Sequence, residues 1–275
     1  MLPLPPSSNR PFLLDAAPPQ GAPRRGSALL LHGYTGSPYE VLTTAHALAA
    51  RGFTCRGPLL RGHGHDPAAL NRVSADDWLD DAVAAYDALD NDGDADGSRV
   101  VVGCSMGGLL ALKLSLLRKV DALVLLAPAL RFHPAVYVGV AGLTAGLWRV
   151  RPFIAKEGPG GDVGAEDGKQ NNPTYKVLPT RGLVELWRLQ LETEKLLKQV
   201  TVPLCTIHGN RDRTIAPSSS SVIASAVSSP VVEHHRLART QHLVALDSER
   251  DVANALAVAF VEATLASAAS TKKAA

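Results

Sequence analysis

Short apolar runs alternate along this chain with longer stretches in which apolar residues recur at helical spacing. The apolar runs are typical of strands buried in a parallel sheet, and they occupy 28–31, 53–56, 100–102, 122–126, 202–208 and 231–235. The stretches with helical spacing occupy 39–50, 74–89, 109–118, 180–199, 217–227 and 248–266. Strands that alternate with helices in this way predict right-handed crossover connections. The sequence therefore predicts the α/β class, with a doubly wound and mostly parallel sheet.

The alternation is interrupted between residues 128 and 180, where an apolar stretch is followed by a glycine-rich polar stretch and Asn171-Asn172-Pro173. An insertion at the carboxyl edge of a parallel sheet lies above the place where such sheets bind ligands, so we interpret this segment as a small inserted cap. The first residues are rich in Pro, Gly and Ser, and within them 11–14 fits one edge strand. The predicted organisation is an N-terminal arm at 1–26, a core formed by 27–127 and 181–268, a cap at 128–180 and a flexible tail at 269–275.

The run at 100–102 leads into Gly103-Cys104-Ser105-Met106-Gly107, a G-x-S-x-G sequence between a predicted strand and a predicted helix. A serine on such a sharp turn is presented as a nucleophile, and glycines are needed where neighbouring backbone leaves no room for a Cβ. The thiol of Cys104 is the alternative nucleophile. The two glycines bracket Ser105, however, and a frame centred on Cys104 would have Val102 and Met106 in their place. We predict that Ser105 is the nucleophile and that Cys104 is a small buried hydrophobe.

A serine alcohol needs a base that accepts its proton and an acid that orients the base. On this arrangement of strands the three residues occur in the order Ser, Asp or Glu, His. Asp212 follows the end of an apolar strand, and His242 lies in the loop between the last strand and the last helix. We predict these two as the acid and the base. The weaker candidates for the acid lie in the cap, inside a strand or after the histidine, and they are Asp162, Glu166, Asp167, Glu233 and Asp247. The other histidines end a strand or precede the acid.

The oxyanion that forms on the substrate needs two preorganised N–H donors. The first predicted donor is the backbone N–H of Met106, which follows the nucleophile at the start of a helix whose dipole also favours an anion. The second is the backbone N–H of Tyr34, in the loop His32-Gly33-Tyr34-Thr35-Gly36 after the first buried strand. This loop could also be a plain connection between strand and helix. Its occurrence together with the G-x-S-x-G turn favours the catalytic interpretation.

Composition narrows the class of partner and the compartment. The formal net charge is only +2 over 275 residues, which argues against a nucleic-acid partner. The three cysteines lie in or beside apolar runs and cannot all pair, which is typical of a reducing compartment. The first residues lack the basic region and the continuous apolar region of a secretory signal, so we expect no such signal. The most apolar stretch, 135–148, is shorter than the roughly 20 residues of a membrane span. We expect a cytoplasmic protein without a transmembrane helix.

Two polar segments invite a metal-binding interpretation. The segment 61–66 contains two histidines, but no second set of ligands at zinc spacing follows, and we interpret it as a tight loop beside the site. The acidic segment 91–97 lacks the acceptor spacing and the closing Glu of a calcium loop, and we interpret it as a solvated loop. Neither a phosphate-binding nor a dinucleotide-binding fingerprint follows a strand. We therefore expect no metal and no cofactor.

These motifs resemble those of bacterial carboxylesterases and monoacylglycerol lipases, which are single-domain α/β-hydrolases with a small cap. The resemblance covers about 25–127 and 200–265, and it rests on Leu29-Leu30-Leu31-His32-Gly33-Tyr34-Thr35-Gly36-Ser37, Gly62-His63-Gly64, Asp76-Asp77-Trp78, Gly103-Cys104-Ser105-Met106-Gly107-Gly108 and His242 followed by Asp247. It implies the triad Ser105, Asp212 and His242 and the oxyanion donors Tyr34 and Met106. Gln241, where the family usually has glycine, and the segment 128–180 depart from the family pattern.

The residues and the resemblance together predict a cofactor-free serine hydrolase that acts on a small carboxylic ester with a medium or long acyl chain. The alternatives with the same triad are a thioesterase, a lactonase and a C–C bond hydrolase. The alternative of another class is a binding protein on this fold that has lost catalysis. The apolar side chains of 135–148 must be covered by the pocket, by a partner or by a lipid interface. We favour the pocket, so Val138 and Leu147 are predicted to line a groove for the acyl chain.

Overall fold

The apolar runs form one sheet, which lies at the centre of the molecule. The computed structural model describes residues 4–20, 22–89, 97–156 and 160–274, so most of the predicted loop at 91–97 lies outside the described residues. The strands are β1 Phe12–Leu14, β2 Gly26–Leu31, β3 Phe53–Gly57, β4 Ser98–Cys104, β5 Ala122–Leu126, β6 Phe153–Ala155, β7 Val177–Pro179, β8 Leu204–Gly209 and β9 Val232–Leu237. The central sheet has the order β1-β3-β2-β4-β5-β8-β9. Its neighbours pair in parallel except for β1, which is antiparallel to β3.

The predicted helices are present, with some shifted ends. The helices are α1 Leu42–Ala49, α2 Pro67–Leu70, α3 Ala75–Asp87, α4 Met106–Leu114, α5 Pro134–Thr144, α6 Glu166–Asn171, α7 Thr180–Leu196, α8 Ser218–Ala226 and α9 Arg250–Ala274. The segment predicted as a helix from residue 39 begins with a 3-10 turn, Pro38–Val41. The helix predicted from residue 109 begins at Met106, directly after the nucleophile turn. The helix predicted over 248–266 is longer than expected, because α9 continues to Ala274 through an alanine-rich segment of high helix propensity.

Both faces of the sheet are covered, which explains why its central strands read as continuous apolar runs. Every residue of β2 is buried, as is every residue of β5. Leu29 and Leu31 of β2 pack with Trp78 of α3 in one core, which also receives residues from α4, α7 and α8. Ala28 and Leu30 belong to the opposite core, which receives residues from α1 and α9. This packing presents the carboxyl ends of the parallel strands, and the loops that follow them, at one edge of the sheet.

The chain between β5 and β8 contains α5, α6, α7 and a separate antiparallel pair of strands, β6 and β7, which sequence reasoning did not predict. We call this pair the β6–β7 hairpin, although α6 lies between its strands in sequence. Helix α5 packs on the molecule through Val140 and Leu143, which are buried. Val138 is 76% exposed and Leu147 is 55% exposed. The prediction that these two side chains line a groove is therefore wrong. Helix α5 packs on the surface of the protein and so buries only one face, and a sequence that is apolar on nearly every side does not show which face that is.

Helix α9 is long and apolar enough to cross a membrane by length and composition, since an 18-residue window within residues 250–270 has a mean hydropathy of 1.6. The expectation of no transmembrane helix rested on 135–148 alone and did not include this helix. One face of α9 packs in the core beneath the sheet through Ala253, Phe260 and Val261, all at most 1% exposed. A helix that packs in the core of a folded domain can have the same length and hydropathy as a membrane span, so these two properties alone do not distinguish the two for α9.

Candidate active site

Ser105 lies on a strained turn between β4 and α4. Its backbone has φ 53° and ψ −116°, a conformation that L-residues rarely adopt. The two flanking glycines make the turn possible: a Cβ on Gly103 would lie 2.3 Å from the carbonyl oxygen of Gly107, and a Cβ on Gly107 would lie 2.2 Å from that of Leu31. Close backbone approach is thus the physical reason for both glycines in the G-x-S-x-G sequence. The adjacent Cys104 is fully buried in the core, as predicted.

The structure brings the three predicted side chains into a hydrogen-bonded chain. The hydroxyl of Ser105 is 2.9 Å from Nε2 of His242, and Nδ1 of His242 is 2.7 Å from Oδ2 of Asp212. Residue Asp212 lies on the turn after β8, and His242 lies on the loop between β9 and α9. Three loops that are far apart in sequence therefore meet at the carboxyl edge of the sheet. This is the geometry in which a histidine can accept the proton of a serine while a carboxylate fixes its tautomer.

The electrostatics of the three groups support this proton path. Burial by itself lowers the pKa of His242, but the carboxylate of Asp212 outweighs burial, so that the pKa of His242 is raised above its ordinary value. Burial acts to raise the pKa of Asp212, but the two imidazoles beside it outweigh burial and lower that pKa. Asp212 is therefore a carboxylate at neutral pH. A carboxylate can only accept, so Nδ1 of His242 carries a proton and donates it to Asp212 in the hydrogen bond. Nε2 is left free to accept from Ser105.

Asp212 is held by more donors than sequence reasoning foresaw. Its Oδ1 accepts from the backbone N–H groups of Thr214 at 2.9 Å and Ile215 at 2.8 Å. Its Oδ2 accepts not only from His242 but also from Nε2 of His208, at 2.8 Å. His208 is fully buried in β8, and burial lowers its pKa. In sequence it precedes the acid, and the order Ser, Asp, His therefore excluded it as the base. Its spacing of four residues from Asp212 was the available signal.

The weaker candidates for the acid have other partners. Asp247 accepts from the backbone N–H groups of Gly164, Ala165 and Gln241, at 2.9, 2.9 and 2.8 Å, and so joins the insertion to the loop of His242. Glu233 pairs with His235 at 2.9 Å. The remaining three belong to the insertion: Asp162 accepts from the backbone N–H of Arg213 and from the hydroxyl of Thr214, Asp167 pairs with Arg250, and Glu166 pairs with Lys169.

The loop after β2 lies directly beside the nucleophile. A Cβ on Gly33 would lie 3.0 Å from the Cβ of Ser105, and Tyr34 and Ser105 line the same cavity. Met106 is the first residue of α4, so its N–H lies at the amino end of that helix. The structure thus brings both predicted oxyanion donors to the nucleophile turn. A residue that the sequence analysis missed, Glu40, is buried behind this loop, where its Oε2 accepts from the N–H of Gly33 at 2.9 Å.

A cavity of about 580 Å³ opens over Ser105 and His242. Part of its wall is apolar and comes mostly from the insertion and α7, namely from Phe132, Val136, Leu178, Leu183, Leu186 and Ile215. Another part is charged and includes Lys156, Lys169 and Arg213 together with Glu40 and Asp162. The cavity is therefore amphipathic, with an apolar region large enough for a hydrocarbon chain.

Within the described residues, one group of side chains has the composition of a metal site. Ligand atoms of Cys205, Glu233 and His235 lie within 4.8 Å of one another. Burial raises the pKa of the Cys205 thiol to about 12. None of the three residues lines the cavity over Ser105.

Known proteins with similar sequences have similar lengths. A thermostable monoacylglycerol lipase from Bacillus sp. (strain H-257) is 29% identical over 246 residues, which are 89% of this chain and 93% of that protein. A carboxylesterase from Bacillus subtilis (strain 168) is 26% identical over 238 residues, which are 86% of this chain and 92% of that protein.

Solved structures share the fold over nearly the whole chain. One, of the metagenome-derived lipolytic enzymes LipS and LipT, has a TM-score of 0.80 at 25% identity and covers 95% of this chain and 99% of that chain. Another, a soluble variant of monoglyceride lipase from Saccharomyces cerevisiae in complex with a substrate analog, has a TM-score of 0.75 at 15% identity and covers 95% and 94%.

The family model described as serine aminopeptidase, S33, matches residues 22–249. That range contains the strands of the central sheet except β1, and it contains Ser105, Asp212 and His242. The chain therefore belongs to this family of α/β-hydrolases, as the resemblance of its motifs implied.

Proposed function

We propose that this protein is a serine hydrolase that cleaves carboxylic esters through an acyl-enzyme. The observation that carries the proposal is the hydrogen-bonded chain from Ser105 through His242 to Asp212, with distances of 2.9 and 2.7 Å, at the base of an amphipathic cavity. The relatives named monoacylglycerol lipase and carboxylesterase support the same class of reaction.

In the proposed mechanism the Ser105 hydroxyl attacks the ester carbonyl while Nε2 of His242 takes its proton. The carboxylate of Asp212 stabilises the imidazolium that forms. The imidazolium then gives its proton to the leaving alcohol, and the acyl group remains on Ser105. A water molecule, deprotonated by the same histidine, hydrolyses the acyl-enzyme and releases the acid. The backbone N–H groups of Tyr34 and Met106 stabilise the oxyanion in both steps.

The walls of the cavity favour an ester with a medium or long acyl chain. We propose that the insertion acts as a cap, with Phe132 and Val136 on the wall that contacts the chain. They replace Val138 and Leu147 in this role, because these two face solvent. The polar end of the cavity suits an alcohol with free hydroxyl groups, such as glycerol. Both assignments rest on the composition of the cavity wall.

The exposed face of the insertion supports a transient contact with a lipid interface. Four large apolar side chains lie close in sequence on it: Tyr137, Val138, Leu147 and Val150 are 50, 76, 55 and 81% exposed. Exposed apolar groups of this kind gain free energy when an aggregated ester substrate covers them. We propose this contact for lipid substrates and a cytoplasmic location for the protein, since all three cysteines are free and buried.

The description of the family raises peptide hydrolysis as a competing activity. The substrate of an aminopeptidase carries a cationic α-amino group, which is recognised by carboxylates. The two carboxylates in this cavity already accept backbone N–H groups, and the same wall carries Lys156, Lys169 and Arg213. The charge of the cavity therefore favours a neutral ester over an amino-terminal peptide.

A fluorophosphonate probe and a substrate panel test the proposal. The probe should label the protein at Ser105 and should not label Ser105→Ala. The panel contains p-nitrophenyl esters and 1-monoacylglycerols, an acyl thioester, a lactone and an aminoacyl p-nitroanilide. We expect the esters to have the highest kcat/KM. A higher kcat/KM for the thioester, the lactone or the anilide would show that the substrate class is that compound and not the carboxylic ester. A wild type that the probe does not label would indicate a binding protein without catalysis.

A further inference from the structure

Thr35 has a strained backbone next to the proposed oxyanion donor Tyr34. Its φ is +63°, in the left-handed region, where a β-branched residue is a rare outlier. Such a conformation persists only where surrounding contacts enforce it. Thr35 is only 2% exposed, and the contacts that surround it come from the insertion.

Three residues of the insertion hold Thr35, and we call them the Thr35 clamp: Lys156, Thr174 and Tyr175. The carbonyl oxygen of Thr35 accepts from the hydroxyl of Thr174 at 3.0 Å and from the backbone N–H of Tyr175 at 3.2 Å. The hydroxyl oxygen of Thr35 accepts from Nζ of Lys156 at 3.0 Å. The same Nζ donates to the hydroxyl of Thr174 at 2.8 Å. Lys156 therefore joins the hydroxyl groups of Thr35 and Thr174.

Lys156 is fixed and charged where it makes these contacts. Its backbone N–H donates to the carbonyl oxygen of Lys176 at 3.0 Å, which extends the β6–β7 hairpin by one pair. Burial lowers the pKa of Lys156 to about 8, against the opposing effect of Glu40. The ammonium form still predominates at pH 7 and is the form that donates to two threonine oxygens.

The neighbouring residues of the loop are also held from outside. Glu40 accepts from the N–H of Gly33 on the side of the core. The hydroxyl of Tyr34 donates to the carbonyl oxygen of Pro179, at the end of β7. Gly33, Tyr34 and Thr35 thus each make a contact that fixes them, and the hairpin supplies two of the three.

We propose that Lys156 is a positioning residue that keeps the Tyr34 N–H aimed at the oxyanion, by holding Thr35 in its left-handed conformation through the clamp. This inference rests on the proposed function. If the clamp were lost, Thr35 would relax toward negative φ. The Tyr34–Thr35 peptide would turn with it, and Tyr34, with its own N–H, would shift in the short loop. Oxyanion donors are effective only when they are oriented before the reaction. The clamp should therefore act on the chemical step more than on substrate binding.

The test compares an ester with its thiono analogue, in which sulfur replaces the carbonyl oxygen. Sulfur is a poorer acceptor from N–H donors, so a misplaced oxyanion donor slows the ester more than the thionoester. The substrates are p-nitrophenyl butyrate and its thiono analogue. The variants are Lys156→Met, which keeps the length of the side chain without its donors, Thr174→Val, which keeps its shape, the double variant and Lys156→Arg. The control is Lys176→Met, which removes an exposed ammonium from the same hairpin.

For the ester we expect kcat to fall about tenfold or more in Lys156→Met with little change in KM, because removal of one oxyanion donor costs on the order of 10²–10³ in kcat. The ratio of kcat/KM for ester over thionoester should fall in Lys156→Met and Thr174→Val. The double variant should lose little more than either single variant, Lys156→Arg should recover most of the ratio, and Lys176→Met should match the wild type.

If Lys156→Met loses kcat/KM equally for the ester and the thionoester, so that their ratio is unchanged, the positioning role is overturned. If Lys156→Met does not fold, Thr174→Val decides by the same ratio. A wild type that hydrolyses no ester and is not labelled by fluorophosphonate would instead refute the proposed function, and the positioning role with it. If the wild type is active but the variants show none of these ratio changes, the positioning role alone is refuted.

Discussion

His208 and His242 donate to the same oxygen of Asp212, at 2.8 and 2.7 Å. Nδ1 of His242 and Nε2 of His208 both carry protons there, because the carboxylate can only accept. The acid of the proposed triad is thus held from two sides by imidazoles, in addition to two backbone N–H groups. His208 is hydrogen-bonded to Asp212, and through Asp212 it acts on His242.

The shared oxygen predicts a measurable role for His208. His208→Leu removes one of the four donors to Asp212, and a hydrogen bond to a charged group contributes about 1.5–3 kcal/mol. Because the other three donors remain, we expect kcat to fall about tenfold rather than to vanish. His208→Gln can still donate to Asp212 and should retain more activity than His208→Leu. Equal activity of His208→Leu and the wild type in ester hydrolysis would contradict this role.

The pH dependence of hydrolysis should report His242. Only the neutral imidazole can accept the serine proton, so kcat/KM should rise with pH as His242 loses its proton. Since Asp212 raises the pKa of His242, the midpoint should lie above the ordinary value of about 6.5. Asp212→Asn leaves burial as the dominant influence, which lowers that pKa, so its midpoint should move to lower pH. A rate profile from about pH 5 to about pH 8 measures both.

Asp212→Asn should also reduce kcat by about 10⁴, because an amide stabilises the wrong tautomer of His242. Glu233→Gln is a suitable control, since Glu233 pairs with His235 and does not line the cavity. A loss of less than about tenfold in Asp212→Asn would indicate another acid.

The nucleophile assignment can be tested on two adjacent residues. Ser105→Ala should abolish turnover and leave the thermal midpoint close to that of the wild type, because only the hydroxyl is removed. Cys104→Ala should keep most of the activity, and it should lose about 1–2 kcal/mol of unfolding free energy because it removes a buried group. Kinetics and thermal melts of the two variants decide between them. An inactive Cys104→Ala together with an active Ser105→Ala would reverse the assignment.

The cavity wall predicts how rates depend on acyl length. Each methylene that is buried against Phe132 and Val136 contributes about 0.8 kcal/mol, or about fourfold in kcat/KM. For p-nitrophenyl esters, kcat/KM should rise over the first added carbons and then reach a plateau. Val136→Asn should flatten that rise and spare the acetate ester.

Val138→Asn is the matched control, because Val138 lies on the same helix and faces solvent. With soluble esters it should behave as the wild type. With an emulsified monoacylglycerol it should be slower if the exposed face of the insertion contacts lipid. A flattened rise in Val138→Asn with soluble esters would mean that α5 contacts the acyl chain by its other face.

The sequence alone determined the sheet, the nucleophile turn and the loops that carry Asp212 and His242, because these depend on short-range order. The β-branched run that forms β4 and the two glycines around Ser105 each fix the backbone within a few residues. Once the strands are parallel, their carboxyl ends share one edge, and the chain order of the candidate residues follows.

Only the tertiary structure decided which side chains surround that chemistry. The segment 135–148 is apolar on nearly every side, so its sequence could not show that Val136 faces the cavity while Val138 faces solvent. No sequence motif identifies Glu40, His208 or Lys156, because the contact that each one makes near the site is set by tertiary packing. Lys156 and Thr35 are 121 positions apart in the chain, and no local pattern specifies a hydrogen bond across such a separation.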